Sequence, residues 1–234
     1  MRNYLIVDDN VAFAENVAEI LSDLPGVQVT VVSSGEEALK LAQATRFDVL
    51  ISDMRMPLMT GAELVHRIRA IDPGLAAIVV SAYTGDDELD AARREGLLAI
   101  LPKPVPMGRL IELTSRARRE GLVALVDDDA ALADNLSEAL RGRGFTAITA
   151  QTVLACEQLA VRPFAALVDL RMPGGSDGEA MRRLAAKFPG LPLFVISAYA
   201  DSAAPAGATA LFAKPFATGE LLGAVERMWS ARHG

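Results

Sequence analysis

"LISDMRMPL" occupies Leu50–Leu58, and "LVDLRMPGG" occupies Leu167–Gly175. In each, an apolar run stops at a lone acid, Asp53 or Asp169, and an Arg and a Pro follow at the same spacing. Other phrases recur in the same order. "YLIVDDNVAFAENVAEIL" (Tyr4–Leu21) pairs with "VALVDDDAALADNLSEAL" (Val123–Leu140), and "VVSAY" (Val79–Tyr83) with "VISAY" (Val195–Tyr199). "LPKP" (Leu101–Pro104) pairs with "FAKP" (Phe212–Pro215). The offset between copies shrinks along the chain, as small insertions and deletions between fixed blocks produce. The period is far too long for a solenoid unit, so the pattern is a duplicated domain. The expected division is residues 1–119 and 120–234.

Within the first copy the apolar runs are "YLIV", "VQVTVV", "DVLIS", "AAIVV" and "LLAIL". Amphipathic stretches such as "VAFAENVAEILSDL" and "GAELVHRIRAID" separate them. Near-continuous Val, Ile and Leu runs suit strands buried on both faces, hence a parallel sheet. Five strand–helix units per copy predict a doubly wound α/β domain of five parallel strands. Ligands of such sheets bind outside the carboxyl ends of the strands. Asp8 and Asp9 follow the first run; Asp53, Ser81 and Lys103 stand at the ends of the third, fourth and fifth. Asp127, Asp128, Asp169, Ser197 and Lys214 repeat the set.

The 234 residues carry 51% apolar and 23% charged residues, which excludes a disordered chain. A net charge of -7 argues against broad nucleic-acid binding. The densest basic cluster, Arg116, Arg118 and Arg119, reads as a solvated helix face. "MGRLIELTSRARRE" (Met107–Glu120) reads as the last helix of the first copy, stopped by Gly121, with no flexible linker before the next strand. Cys156 is the single cysteine, so no intrachain disulfide forms; a buried helix position is expected for it. The start has no signal-peptide core and no run approaches a membrane span, so a soluble, cytoplasmic protein is expected. His66 and His233 read as surface residues.

Three carboxylates at neighbouring strand ends repel one another unless a cation sits among them. An all-oxygen set suits Mg2+, and the lack of His or Cys excludes zinc. A lone strand-end Asp is a possible nucleophile forming an aspartyl phosphate. Lys supplies positive charge to phosphoryl oxygens, and a Ser hydroxyl donates a hydrogen bond.

Both copies resemble the receiver domain of two-component response regulators. The resemblance rests on the Asp pair, the Asp followed by Arg and Pro, the Ser after an apolar strand, and Lys-Pro. It implies a flavodoxin-like (CheY-like) fold in tandem and phosphorylation of Asp53 and Asp169 by a phosphohistidine of a histidine kinase or phosphotransfer protein. It implies Mg2+ held by Asp8, Asp9, Asp53 and the Arg55 carbonyl, and by Asp127, Asp128, Asp169 and the Arg171 carbonyl. Lys103 and Lys214 become phosphoryl-binding lysines, their Lys–Pro bonds candidates for cis, and Ser81 and Ser197 switch hydroxyls. No enzymatic turnover is implied beyond self-phosphorylation from a phosphodonor and self-dephosphorylation.

Three departures stand out. The aromatic often found three before the Lys is replaced by Ile100 and Leu211; Phe212 should face the opposite side of its strand. The Ser197–Lys214 interval is shorter than Ser81–Lys103 and holds Pro205 and Gly207, so the second copy's fourth helix is expected to be shortened or absent. The first copy then keeps the usual output face, through which a homodimer would form. The loop after Asp169 is one residue longer and is expected to be capped into the next helix by Ser176 or Asp177. Arg55, Arg171, Tyr83 and Tyr199 flank the water's approach, so slow self-dephosphorylation is expected.

The chain ends at the second copy's last helix, so the leading expectation is a stand-alone tandem receiver acting through a downstream protein partner. A phosphate sink or relay intermediate is the near alternative, and a regulator with a further output domain is another. A haloacid-dehalogenase-type phosphatase would need a second Asp where Arg55 and Arg171 stand.

Overall fold

The computed structural model describes residues 1–82, 95–198 and 204–233. It divides into two compact units, Met1–Glu120 and Gly121–Gly234. Unit 1 runs β1 (Arg2–Val7), α1 (Val11–Ser22), β2 (Val27–Val32), α2 (Gly35–Ala44), β3 (Val49–Asp53), β4 (Arg55–Met56), β5 (Met59–Thr60), α3 (Gly61–Ile71), β6 (Ala76–Ser81), β7 (Ala99–Pro102) and α4 (Met107–Arg116). Unit 2 runs β8 (Leu122–Val126), α5 (Ala130–Gly142), β9 (Thr146–Ala150), α6 (Val153–Glu157), β10 (Ala165–Asp169), α7 (Glu179–Lys187), β11 (Leu193–Ser197), β12 (Ala210–Ala213) and α8 (Thr218–His233).

The two five-stranded sheets share one topology, in the orders β2-β1-β3-β6-β7 and β12-β11-β10-β8-β9. All their ladders are parallel. Alternate residues of one strand enter opposite cores. Leu5, Leu50 and Val79 pack on one face, with Tyr4, Ile51 and Ile78 on the other. This double burial explains the unbroken apolar runs. The order reverses beside β1 and beside β8, which opens a crevice at the carboxyl edge.

Helix starts follow the sequence. Asn10, Ser34, Thr60, Asp129 and Thr152 each accept a backbone N–H in the first turn of α1, α2, α3, α5 and α6. Each such cap contributes about 1 kcal/mol. Cys156 lies buried in α6, and burial pushes its thiol up to about 11. His66 is exposed and meets Glu95 at 3.2 Å. Among the described residues no helix is long and apolar enough to cross a membrane.

Three expectations are revised. The helix read over Met107–Glu120 ends at Arg116, not at Gly121. Arg2 donates to the carbonyls of Ser115 and Ala117, 2.8 and 2.6 Å away, and so satisfies the helix end from outside. Arg119 is not a solvated helix residue: its guanidinium grips both Asp72 carboxylate oxygens at 2.8 and 2.7 Å and bonds the Phe47 carbonyl. The loop before α7 is capped by neither Ser176 nor Asp177. Gly178 is the N-cap, in the left-handed region, and Glu179 reaches back to the Ser176 N–H at 2.9 Å. That bond, with Arg183 at 2.9 Å, lowers the Glu179 carboxyl to about 2. Tyr83, Tyr199 and most of both fourth-helix segments lie outside the described residues; those described from Ala204 to Thr209 are not helical.

Gly61, the first residue of α3, backs onto the carboxyl end of β3. A Cβ there would lie 2.3 Å from the Asp53 carbonyl oxygen, which is backbone and cannot yield. Gly61→Ala is expected to destabilise unit 1 by about 2 kcal/mol or more. Gly108→Ala, in open space on α4, should be neutral or stabilise by up to about 1 kcal/mol. Urea unfolding of both variants checks the contrast, and equal effects would contradict it.

Candidate functional site

The acids expected to converge do so in each unit. β1 ends at Val7, so Asp8 and Asp9 follow at its carboxyl edge, next to Asp53 at the end of β3. Asp127 and Asp128 stand likewise beside Asp169. One oxygen from each of Asp8, Asp9 and Asp53 lies within 4.8 Å of the others, and Asp127, Asp128 and Asp169 repeat this. Asp8 and Asp127 are buried, whereas Asp9 and Asp128 are exposed and reachable from solvent. An oxygen-only donor set open on one side fits a hard cation that keeps several waters.

The lysines come from the far edge. β7 pairs with β6, and the Lys103 N–H donates to the Ser81 carbonyl at 2.8 Å, which carries the lysine to the crevice. Lys103 Nζ sits 2.8 Å from Asp8 Oδ2 and 2.9 Å from Asp53 Oδ1. Lys214 Nζ sits 2.9 Å from Asp127 Oδ2 and 2.7 Å from Asp169 Oδ2, with its N–H on the Ser197 carbonyl at 2.7 Å. The other oxygens are held too. Asp8 Oδ1 accepts the Asn10 N–H at 2.9 Å, Asp127 Oδ1 the Asp129 N–H at 2.9 Å, and Asp169 Oδ1 the Arg171 N–H at 3.0 Å. Both Lys–Pro bonds, Lys103–Pro104 and Lys214–Pro215, are cis.

Burial raises the Asp53 carboxyl above its ordinary range, against the pull of the hydrogen bond from Lys103. Burial does the same to Asp127, opposed by Lys214. For Lys103 and Lys214, burial pulls the ammonium down, but their carboxylate partners outweigh it and both end raised. Each site therefore sets a protonated lysine between two acidic side chains.

Ser81 and Ser197 end β6 and β11, both buried. Ile100 and Leu211 pack into one core of their units, while Phe212 joins the opposite one. Arg55 lies in the small β4–β5 ribbon and Arg171 in the loop after β10; both side chains are exposed. The ribbon's two-residue strands are too short to register as a pattern in sequence. Its turn holds Leu58 at φ 69, where unit 2 has Gly174 at φ 87. Sequence reasoning also passed over Phe13, whose ring faces Lys103.

The sequence pattern of the response regulator receiver domain matches residues 4–115 and 123–226. A response regulator receiver protein of Anaeromyxobacter sp. (strain Fw109-5) is 59% identical over 233 residues, 99% of this chain and 97% of that protein. The DNA-binding transcriptional regulator NtrC of Klebsiella pneumoniae is 33% identical over 112 residues, covering 48% of this chain and 24% of NtrC. The solved chemotaxis protein CheY4 of Vibrio cholerae is 32% identical with a TM-score of 0.46, over 50% of this chain and 98% of that one.

Lys103→Met leaves Asp8 and Asp53 facing each other without a cation. A carboxyl whose folded pKa is raised costs stability as pH climbs above its unfolded value, near 3.8 for Asp53. The variant should therefore match the parent near pH 4 and fall behind by about 1–3 kcal/mol at pH 7. Added Mg2+ should narrow that gap. Thermal unfolding across this range checks it, and a gap that closes as pH rises would contradict the electrostatic account.

Proposed function

The chain belongs to the response regulator receiver family, and we propose that it is a tandem phosphoacceptor of a two-component system, charged at both Asp53 and Asp169. The observation that carries this reading is the lysine bridge between two strand-end carboxylates, built twice at one position of one topology. The donor is a phosphohistidine on a histidine kinase or a phosphotransfer protein. A carboxylate oxygen of Asp53 attacks phosphorus, the P–N bond breaks, and the imidazole leaves with the electron pair. Mg2+ bound by Asp8, Asp9, Asp53 and the Arg55 carbonyl, or by Asp127, Asp128, Asp169 and the Arg171 carbonyl, would neutralise phosphoryl oxygens.

The chain's own groups do the rest. Lys103 and Lys214 move from carboxylate to phosphoryl oxygen, keeping one ion pair throughout. Ser81 and Ser197 offer hydroxyls at the neighbouring strand ends. Since Ile100 and Leu211 replace the usual aromatic, the signal leaves by another route than a ring rotation, through contacts with a downstream protein. The family generally works without substrate turnover, and this chain is read the same way: it loads and self-hydrolyses an acyl phosphate. A phosphate sink is the second reading, favoured by the complete acceptor set in both units.

Intact mass after incubation with a small acyl phosphate and Mg2+ tests the proposal on the parent, Asp53→Asn and Asp169→Asn. Two phosphoryl additions on the parent and one on each variant are expected. A single addition on the parent, or two on either variant, would contradict it.

A further inference from the structure

Lys103 has a third neighbour that carboxylate chemistry does not require. Its Nζ lies 4.6 Å from the centroid of the Phe13 ring. Phe13 stands in the first turn of α1, where its N–H donates to the Asn10 cap at 3.1 Å. The half-buried ring packs against the core of its sheet face. With Asp8, Asp53, Val17, Ile51 and Leu110 it lines a small pocket beside the site. The ammonium is thus held between carboxylates on one side and a π face on another.

Unit 2 repeats the scaffold without the ring. Asp129 caps α5 through the Leu132 N–H at 3.0 Å, so Leu132 stands where Phe13 stands in α1. Lys214 keeps both carboxylate partners, yet among the described residues no ring face lies over it.

We infer that Phe13 is a positioning residue for Lys103, which makes the two acceptor sites unequal despite identical polar groups. This rests on the acceptor reading above. During transfer the lysine must release a carboxylate and meet a phosphoryl oxygen. A free lysine side chain has many rotamers, and ordering it again costs entropy. An aromatic face attracts the ammonium without competing as an anion. It therefore keeps the charge at the mouth of the site while the carboxylates turn to the cation and the phosphorus. The leucine of unit 2 offers packing but no quadrupole, so Lys214 is less constrained once its carboxylates are engaged.

The test is the rate of phosphoryl uptake from a small acyl phosphate with Mg2+, read for Asp53 in the Asp169→Asn background and for Asp169 in Asp53→Asn. Phe13→Leu should slow uptake at Asp53 about two- to tenfold, and Phe13→Tyr should restore it. Leu132→Phe should speed uptake at Asp169. In a Lys103→Met background, Phe13→Leu should have no further effect, because the ring acts only through the ammonium; lost packing would still show there. An unchanged rate in Phe13→Leu, or an equal slowing with and without Lys103, overturns the inference. No uptake at Asp53 in the Asp169→Asn protein itself would instead remove the acceptor reading, and the inference with it.

Discussion

Two carboxylates at neighbouring strand ends repel each other, and the Lys103 or Lys214 ammonium is what lets them share one crevice. Each Nζ lies within 2.9 Å of both acids it serves. Removing one partner of such a set leaves an uncompensated, largely desolvated charge. On the proposed function the bridge couples stability to activity: the group that holds the acids together is also the one that would meet an incoming phosphoryl oxygen. The fold exists to bring it there. A parallel sheet carries residues distant in sequence to one edge, and the cis Lys–Pro bonds follow directly after the edge strands.

Backbone contacts also fix the strand-end acids Asp53 and Asp169. Only a residue without a Cβ fits at position 61 against the Asp53 carbonyl, and the Met54 N–H continues the ladder to the Val80 carbonyl at 2.8 Å. In unit 2 the Leu170 N–H reaches the Ile196 carbonyl at 3.1 Å, and Gly178 donates to the Leu170 carbonyl at 2.7 Å. The loop between acid and helix is one residue longer there, yet the acid is held the same way. Insertion is absorbed by the Gly174–Gly178 turn, where two glycines adopt positive φ.

Much of this was legible in the residues. Strands buried on both faces leave unbroken Val, Ile and Leu runs, and strand-end acids and lysines interrupt them abruptly. The duplication multiplied the signal, because the same ordered set at the same strand ends occurs twice. The features that escaped depend on tertiary partners. The end of α4 is set by Arg2, over a hundred positions away in sequence, and Arg119 is drawn from its expected helix by Asp72. The start of α7 depends on Gly178 adopting a left-handed conformation, while Ser and Asp beside it look like better caps. Phe13 sits at an apolar position of an amphipathic helix, where sequence alone reads it as core; only the distance to Lys103 gives it another part.

The central claim is that Asp53 and Asp169, among all the acids of the crevices, carry the phosphoryl group. Borohydride reduction of the freshly charged protein converts an aspartyl phosphate to homoserine, and peptide mass spectrometry then locates it. The account predicts homoserine at positions 53 and 169. Homoserine at Asp8, Asp9, Asp127 or Asp128 instead, with 53 and 169 intact, would contradict it.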